Sequence, residues 1–344
     1  MLAREIANMD AVAHPNIIRL FEVVETLSRI HLVLEFAPGG ELFNRITADG
    51  RLSEKDSAKV FTQILAAVTY LHGLSIIHRD IKAENVFLAG PGIVKLGDFG
   101  FSTKVNDLEQ QLSTFCGSPP YAAPELYKDE SYLGPAVDIW ALGVLLFFVL
   151  TADMPFKANT VAGLKRHILA GTYITPEHVS PAATDLISRL LVQDPSERPS
   201  PKVIAAHTWL ANTPPPPTPL PSYVMAPDFS EEEHTAAEED AIGALEKWGI
   251  NRESLEDGVP MGARSPAIAT YRILLHRLLH QPNTPSKISN NNSVETTTTT
   301  SVTASSPPSP CKEFSPRRPR LRLRNGLTSS SAPGGVKSRA CNIV

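Results

Sequence analysis

Apolar positions along the chain switch between helical and strand spacing before giving way to a polar, proline-rich tail. Leu2, Ile6, Met9 and Val12 fall on one side of a helix, and His14-Pro15 stops the pattern, because proline disfavours helix in the residue before it. "RIHLVLEFA" (Arg29 to Ala37) reads as a strand. "SEKDSAKVFTQILAAVTYLHGL" is a long amphipathic helix with Ser53 as its N-cap, ending near Gly73. "ENVFLAGPGIVKLGDFG" gives two short strands around a Gly90-Pro91-Gly92 turn, after which helical patterns dominate. The longest apolar stretch, Ile139 to Leu150, falls short of the roughly 20 residues that span a bilayer and predicts a buried core helix.

The folded pattern runs from Leu2 to about Leu210 without a low-complexity tract. "NTPPPPTPLPS" (Asn212 to Ser222) is a stiff, extended linker. Beyond it, "SEEEHTAAEED" leads into "AIGALEKWGINRESLEDG" and "SPAIATYRILLHRLL", a small helical unit with too few apolar residues for a large core, which predicts that it leans on another surface. From Pro282 onward the chain is polar, proline-rich and basic, and disorder is expected.

Composition adds bounds. The 344 residues are 42% apolar with a net charge of −4, an ordinary balance that calls for no nucleic-acid partner. Arg4 and Glu5 interrupt any apolar leader. Three cysteines, Cys116, Cys311 and Cys341, form no CxxC pair, so a disulfide framework or structural zinc is not expected, and a reducing, cytoplasmic setting is.

Chemistry enters with "HRDIKAEN" (His78 to Asn85). Phosphoryl transfer needs a carboxylate to orient a hydroxyl nucleophile and accept its proton, a cation to neutralise the transferring phosphate, and an oxygen ligand for Mg²⁺; Asp80, Lys82 and Asn85 supply these types on one loop. "DFG" follows, with Asp98 as a second Mg²⁺ ligand, and "AAPE" (Ala122 to Glu125) completes an ordered set. Either of the first two motifs alone is more often a solvated loop or a turn; the order and separations carry the signal.

These motifs resemble the eukaryotic protein kinases over residues 2 to 210, which implies an α+β, bilobal fold with a mainly helical large lobe. The resemblance implies ATP and Mg²⁺ as cofactors, protein substrates, and Ser or Thr hydroxyls as acceptors, because Lys82 stands where tyrosine kinases differ. It assigns Leu34 as gatekeeper with Glu35 to Ala37 as the adenine hinge, Asp138 in "DIWALG" as a brace for the catalytic loop, and Arg198 in "DPSERPS" as the partner of Glu125. Glu41 and Glu84 sit where basophilic relatives pair substrate arginines, with a solvated glutamate the competing reading.

"LSTFCGSPPYAAPE" is similar to the AMP-activated-kinase-related branch of the CaMK group, where the residue matching Thr114 is phosphorylated by an upstream kinase; Arg79 is then expected to pair with that phosphate, and Ser113 is the competing acceptor. Within the branch the chain looks most like the Nim-one kinases. "ALEKWGINRESL" plus "ATYRILLHRL" resembles their ubiquitin-associated-like unit but carries Trp248-Gly249-Ile250 where ubiquitin binders favour Met-Gly-Phe, so docking on the kinase domain is expected instead. The implied domains are residues 1–40 (small-lobe remnant and hinge), 41–211 (large lobe), 212–227 (linker), 228–281 (helical unit) and 282–344 (tail).

In this comparison Glu5 in "REI" is the helix glutamate that pairs with a lysine on a preceding strand. No G-x-G-x-x-G occurs, and the first lysine is Lys55. The expectation is a truncated small lobe from an incomplete gene model, with poor ATP binding in the chain as written; the alternative is a noncatalytic isoform that binds substrates or partners. "CNIV" resembles a prenylation box at Cys341 behind the basic run, although Asn342 and Val344 fit it badly, and a disordered tail without membrane contact is the main reading.

Overall fold

In the computed structural model, residues 2–128, 131–217, 227–229 and 234–279 are described, all within one compact unit. The linker from 218 to 226, the tail after 279 and the reading at Cys341 lie outside the described residues.

Helix α1 (Leu2–Asp10) comes first. Ile6, Met9 and Val12 are buried, whereas Leu2 is 38% exposed and does not join the buried face. Strands β1 (Leu20–Glu25) and β2 (Ile30–Leu34) pair antiparallel. The sequence pattern identified only the second of them, because β1 is buried at both Leu20 and Phe21 and shows no alternation. Helix α2 (Leu42–Asp49) follows a short connection, and α3 (Glu54–Gly73) starts at Ser53, whose side chain accepts from the Asp56 amide.

Strand β3 (Ile76–Ile77) pairs with β6 (Thr103–Lys104); between them β4 (Val86–Gly90) and β5 (Ile93–Leu96) form the hairpin, with Gly92 at φ 71° in its turn. A side chain there would be strained in that left-handed conformation. Strand β7 (Gln111–Leu112) pairs with β8 (Tyr132–Leu133), which opens directly into α4 (Gly134–Thr151).

Helix α4 carries the predicted apolar stretch. It is long and apolar enough to cross a membrane by length and composition, but nearly all its side chains are buried between α3 and α6 (Pro181–Leu190). Close packing depends on Gly143: a Cβ there would lie 2.8 Å from Leu190 and Leu191. Helices α5 (Val161–Ala170) and α7 (Pro201–Ala205) complete this lobe.

The last unit comprises α8 (Ala236–Lys247), α9 (Arg252–Gly258) and α10 (Pro266–Leu279). Its small core of Phe229, Ile242, Leu245, Leu255, Ile268, Tyr271 and Leu275 includes Ala13 from the first lobe. Asp10 at the end of α1 accepts from Arg272 and from the Ala263 amide, and Phe21 meets His276 edge-on. The apolar deficit read in the sequence is thus made good against α1 and β1.

His14, beside the α1 terminus, is 4% exposed and stacks obliquely on Tyr70; its Nδ1 accepts from the Asn16 amide. Burial, and secondly the charge of Lys95, pull its pKa from 6.5 down to about 4. A depressed histidine pKa means that the fold prefers the neutral ring, so its contribution is complete above pH 6.5 and is lost as pH falls toward about 4. His14→Gln is expected to flatten that acid-side decline, measured as urea midpoints across the window; buried His78, whose pKa is also lowered by burial, keeps a residual slope.

Candidate active site

The catalytic loop runs between β3 and β4. Asp80 is 3% exposed, and every oxygen of its carboxylate is engaged: Lys82 Nζ lies 2.7 Å and Asn85 Nδ2 3.1 Å from Oδ2, and Ser118 Oγ donates to Oδ1 at 2.9 Å. Lys82 also donates to Ser118 Oγ at 2.9 Å. A carboxylate, an ammonium and a hydroxyl therefore meet in one cluster. Ser118 was missed at the level of sequence, although its place after Gly117, which sits at φ 97° against the Arg79 carbonyl, was a signal that the chain turns sharply there.

The loop is held in a strained shape from below. Arg79 has φ 66°, unusual for a residue with a side chain. Asp138, fully buried on α4, compensates: Oδ1 accepts from the Arg79 amide at 2.8 Å, and Oδ2 from the His78 amide at 3.0 Å and His72 Nε2 at 2.9 Å. Burial works against its charge, but the hydrogen bond from His72 and the neighbouring histidine charges outweigh that and hold the carboxyl below the usual range.

Asp98 follows β5 at φ 58° and accepts the Gly100 amide, while Phe99 is buried edge-on against His78. Glu5 of α1 faces Asp98: burial first, and then the Asp98 charge, raise the Glu5 carboxyl. No lysine or arginine among the described residues pairs with Glu5.

The donor set fits Mg²⁺. Asn85 Nδ2 is fixed on the Asp80 backbone carbonyl at 2.9 Å and on its carboxylate, so the amide oxygen is the free end, and Asp98 supplies a hard carboxylate nearby. No group of three or more His, Cys, Asp or Glu side chains that could hold a metal is found among the described residues.

Other assigned residues fall around this core. The Glu35 carboxylate is spent on Lys95 (2.9 Å) and the Arg19 amide, and its own N–H donates to the Arg19 carbonyl, so only its backbone carbonyl, with Leu34 and Ala37, remains for a base. Glu41 precedes α2 and accepts from Asn44, and Glu84 lies beside the Tyr121 phenol, whose pKa its charge helps to raise after burial. Glu125 and Arg198 form a buried bidentate pair at 2.6 and 2.7 Å, with the guanidinium over Trp140.

Thr114 is exposed and is not in contact with Arg79 through its side chain. Instead Arg79 Nε donates to the Phe101 carbonyl and Nη1 to Tyr132 Oη, whose hydroxyl donates to the Thr114 carbonyl. The sequence reading expected Arg79 to pair with a phosphate on Thr114; in the unmodified chain a tyrosine hydroxyl bridges Arg79 to the Thr114 carbonyl.

Residues 1–210 match the family described as the protein kinase domain. Serine/threonine-protein kinase SIK1 of Rattus norvegicus is 38% identical over 288 residues, covering 82% of this chain and 36% of the relative. The serine/threonine-protein kinase SIK3 homolog of Danio rerio is 38% identical over 281 residues, covering 81% of this chain and 24% of the relative. The chain thus spans about a third and about a quarter of the length of these curated relatives. By this match and these motifs, the chain belongs to the protein kinase family, within the AMP-activated-kinase-related serine/threonine branch.

Proposed function

We propose that this chain carries the catalytic lobe of an ATP- and Mg²⁺-dependent Ser/Thr protein kinase, and the observation that carries the reading is the Asp80, Lys82 and Ser118 cluster beside Asn85 and Asp98. Asp80, buried and anchored from two sides, orients an incoming hydroxyl and takes its proton. Lys82, already neutralising Asp80, offers a further donor to phosphate oxygens. Bound Mg²⁺·ATP supplies the transferable phosphoryl group and the charge that offsets its oxygens; Asn85 and Asp98 would hold the cation, and the backbone of Glu35 to Ala37 the base.

Three finer readings go with this. A preference for basic residues upstream of the acceptor is supported by the Glu41 carboxylate at the start of α2 and by Glu84 beside Tyr121, since an arginine fork matches a carboxylate. Activation by phosphorylation at Thr114 is supported by its exposure, and an upstream kinase is the implied partner. A cytoplasmic location accords with the free thiol of Cys116. The second reading is a noncatalytic form that binds substrates or partners through the same lobe.

Mg²⁺-dependent ADP binding, read as a thermal shift, combined with transfer to a basic Ser peptide, separates the two. The catalytic reading expects nucleotide binding that Asp98→Asn abolishes, and transfer that Asp80→Asn reduces by about 10³-fold or more without loss of binding. Peptide binding with no detectable transfer supports the noncatalytic form.

A further inference from the structure

Tyr132 sits at a junction that the catalytic reading leaves unused. It is 3% exposed and stands at the entrance to α4, whose next residue but one, Gly134, packs so closely on Ile77 that a Cβ would lie 2.7 Å from it. The ring is therefore attached to a closely packed part of the large lobe. Its hydroxyl reaches two partners: it accepts from Arg79 Nη1 at 3.2 Å and donates to the Thr114 carbonyl at 2.8 Å. Leu112, two residues before Thr114, is also paired with Tyr132 through the short β7–β8 ladder.

Beyond these ties the segment is loosely held. Ser113, Thr114 and Phe115 are exposed, with Phe115 resting on Tyr127. Burial first pushes the Tyr132 phenol up to about 12, partly offset by the Arg79 hydrogen bond, so the hydroxyl keeps its proton and can donate under all ordinary conditions. The Cys116 thiol is within hydrogen-bonding reach of the same oxygen.

We propose that Tyr132 is a positioning residue that stands in for the loop phosphate in the unmodified chain: its hydroxyl joins the Arg79 guanidinium to the Thr114 backbone, keeping the activation segment and the loop that bears Asp80 in register before any phosphate is present. A phosphate on Thr114 would address the same guanidinium directly and make the hydroxyl dispensable. The second half of this idea rests on the proposed activation at Thr114; the first half does not.

Hydrogen exchange of the segment tests both halves on the whole chain. Tyr132→Phe keeps the ring and removes only the hydroxyl, and is expected to speed exchange of amides 111–117 on the order of tenfold, as loss of one buried charge-assisted hydrogen bond allows. Tyr127→Phe, which removes a hydroxyl bonded to the Pro119 carbonyl, is expected to leave that segment unchanged. Phosphothreonine installed at position 114 is expected to restore protection in Tyr132→Phe, which a purely structural hydroxyl would not allow.

Unchanged exchange in Tyr132→Phe, or an increase that extends equally through α3 and α4, overturns the proposal. A phosphate that protects the segment in the natural chain but not in Tyr132→Phe overturns the stand-in role, because the tyrosine would then be needed to dock the phosphate. A phosphate without effect in either protein, with the segment still loosened by Tyr132→Phe, overturns activation at Thr114 and the stand-in role with it, and leaves the tie between Arg79 and Thr114.

Discussion

Arg198→Met is expected to destabilise the large lobe by about 3–5 kcal/mol, the usual cost of leaving one member of a buried ion pair uncompensated. Glu125 is the residue left behind: its carboxylate is 6% exposed as a residue and takes both arms of the Arg198 fork. The same guanidinium also serves the Ala136 and Val192 carbonyls and lies 5.1 Å over the Trp140 ring, so several buried acceptors lose a donor together. Urea unfolding reads the loss. Arg198→Lys should recover only part of it, because an ammonium cannot present two parallel donors to one carboxylate. A double variant that removes both Arg198 and Glu125 should cost less than the sum of the single changes; simple additivity would show that the pair is not energetically coupled.

Asp138→Asn is expected to be nearly as costly, about 3 kcal/mol or more, and to act on the catalytic loop. Asp138 receives donors only, from His72, His78 and Arg79, and an amide would turn an NH₂ toward one of those N–H groups in a fully buried site. The strained backbone at Arg79 would then lose the contact that over-determines it. Two measurements check this: a drop in urea midpoint, and faster hydrogen exchange at His78 to Asp80 than in α3. The pH dependence has a fixed sign. Since the folded carboxyl lies below its ordinary 3.8, the Asp138 contribution is present above that value and is lost as pH falls through the folded value. In Asp138→Asn this part of the acid decline should vanish, while the decline from His14, which begins higher, stays.

Much of this was legible in the chain because it depends on local order. The α3 helix was readable from its Ser53 cap and its apolar period, and the β4–β5 hairpin from its Gly-rich turn. The loop motif gave Asp80, Lys82 and Asn85 together because the functional groups lie within six residues. The first strand was not legible, since burial on both faces removes the alternation that marks a strand. Ser118, Tyr132 and Asp10 were not singled out either, and for one shared reason: each is defined by a partner tens to hundreds of residues away, namely Asp80, Arg79 and Arg272.

The sequence by itself determined which chemistry is available and where the helices of the large lobe begin, because residue type and periodicity act over a few turns of chain. Tertiary structure alone decided how those groups are used. It turned the Glu35 side chain away into an ion pair with Lys95, set Glu5 against Asp98, and placed a tyrosine between Arg79 and Thr114. Such outcomes follow from burial: a charged or polar group removed from water must find a partner, and which partner is nearest is fixed by packing between segments that no local pattern relates.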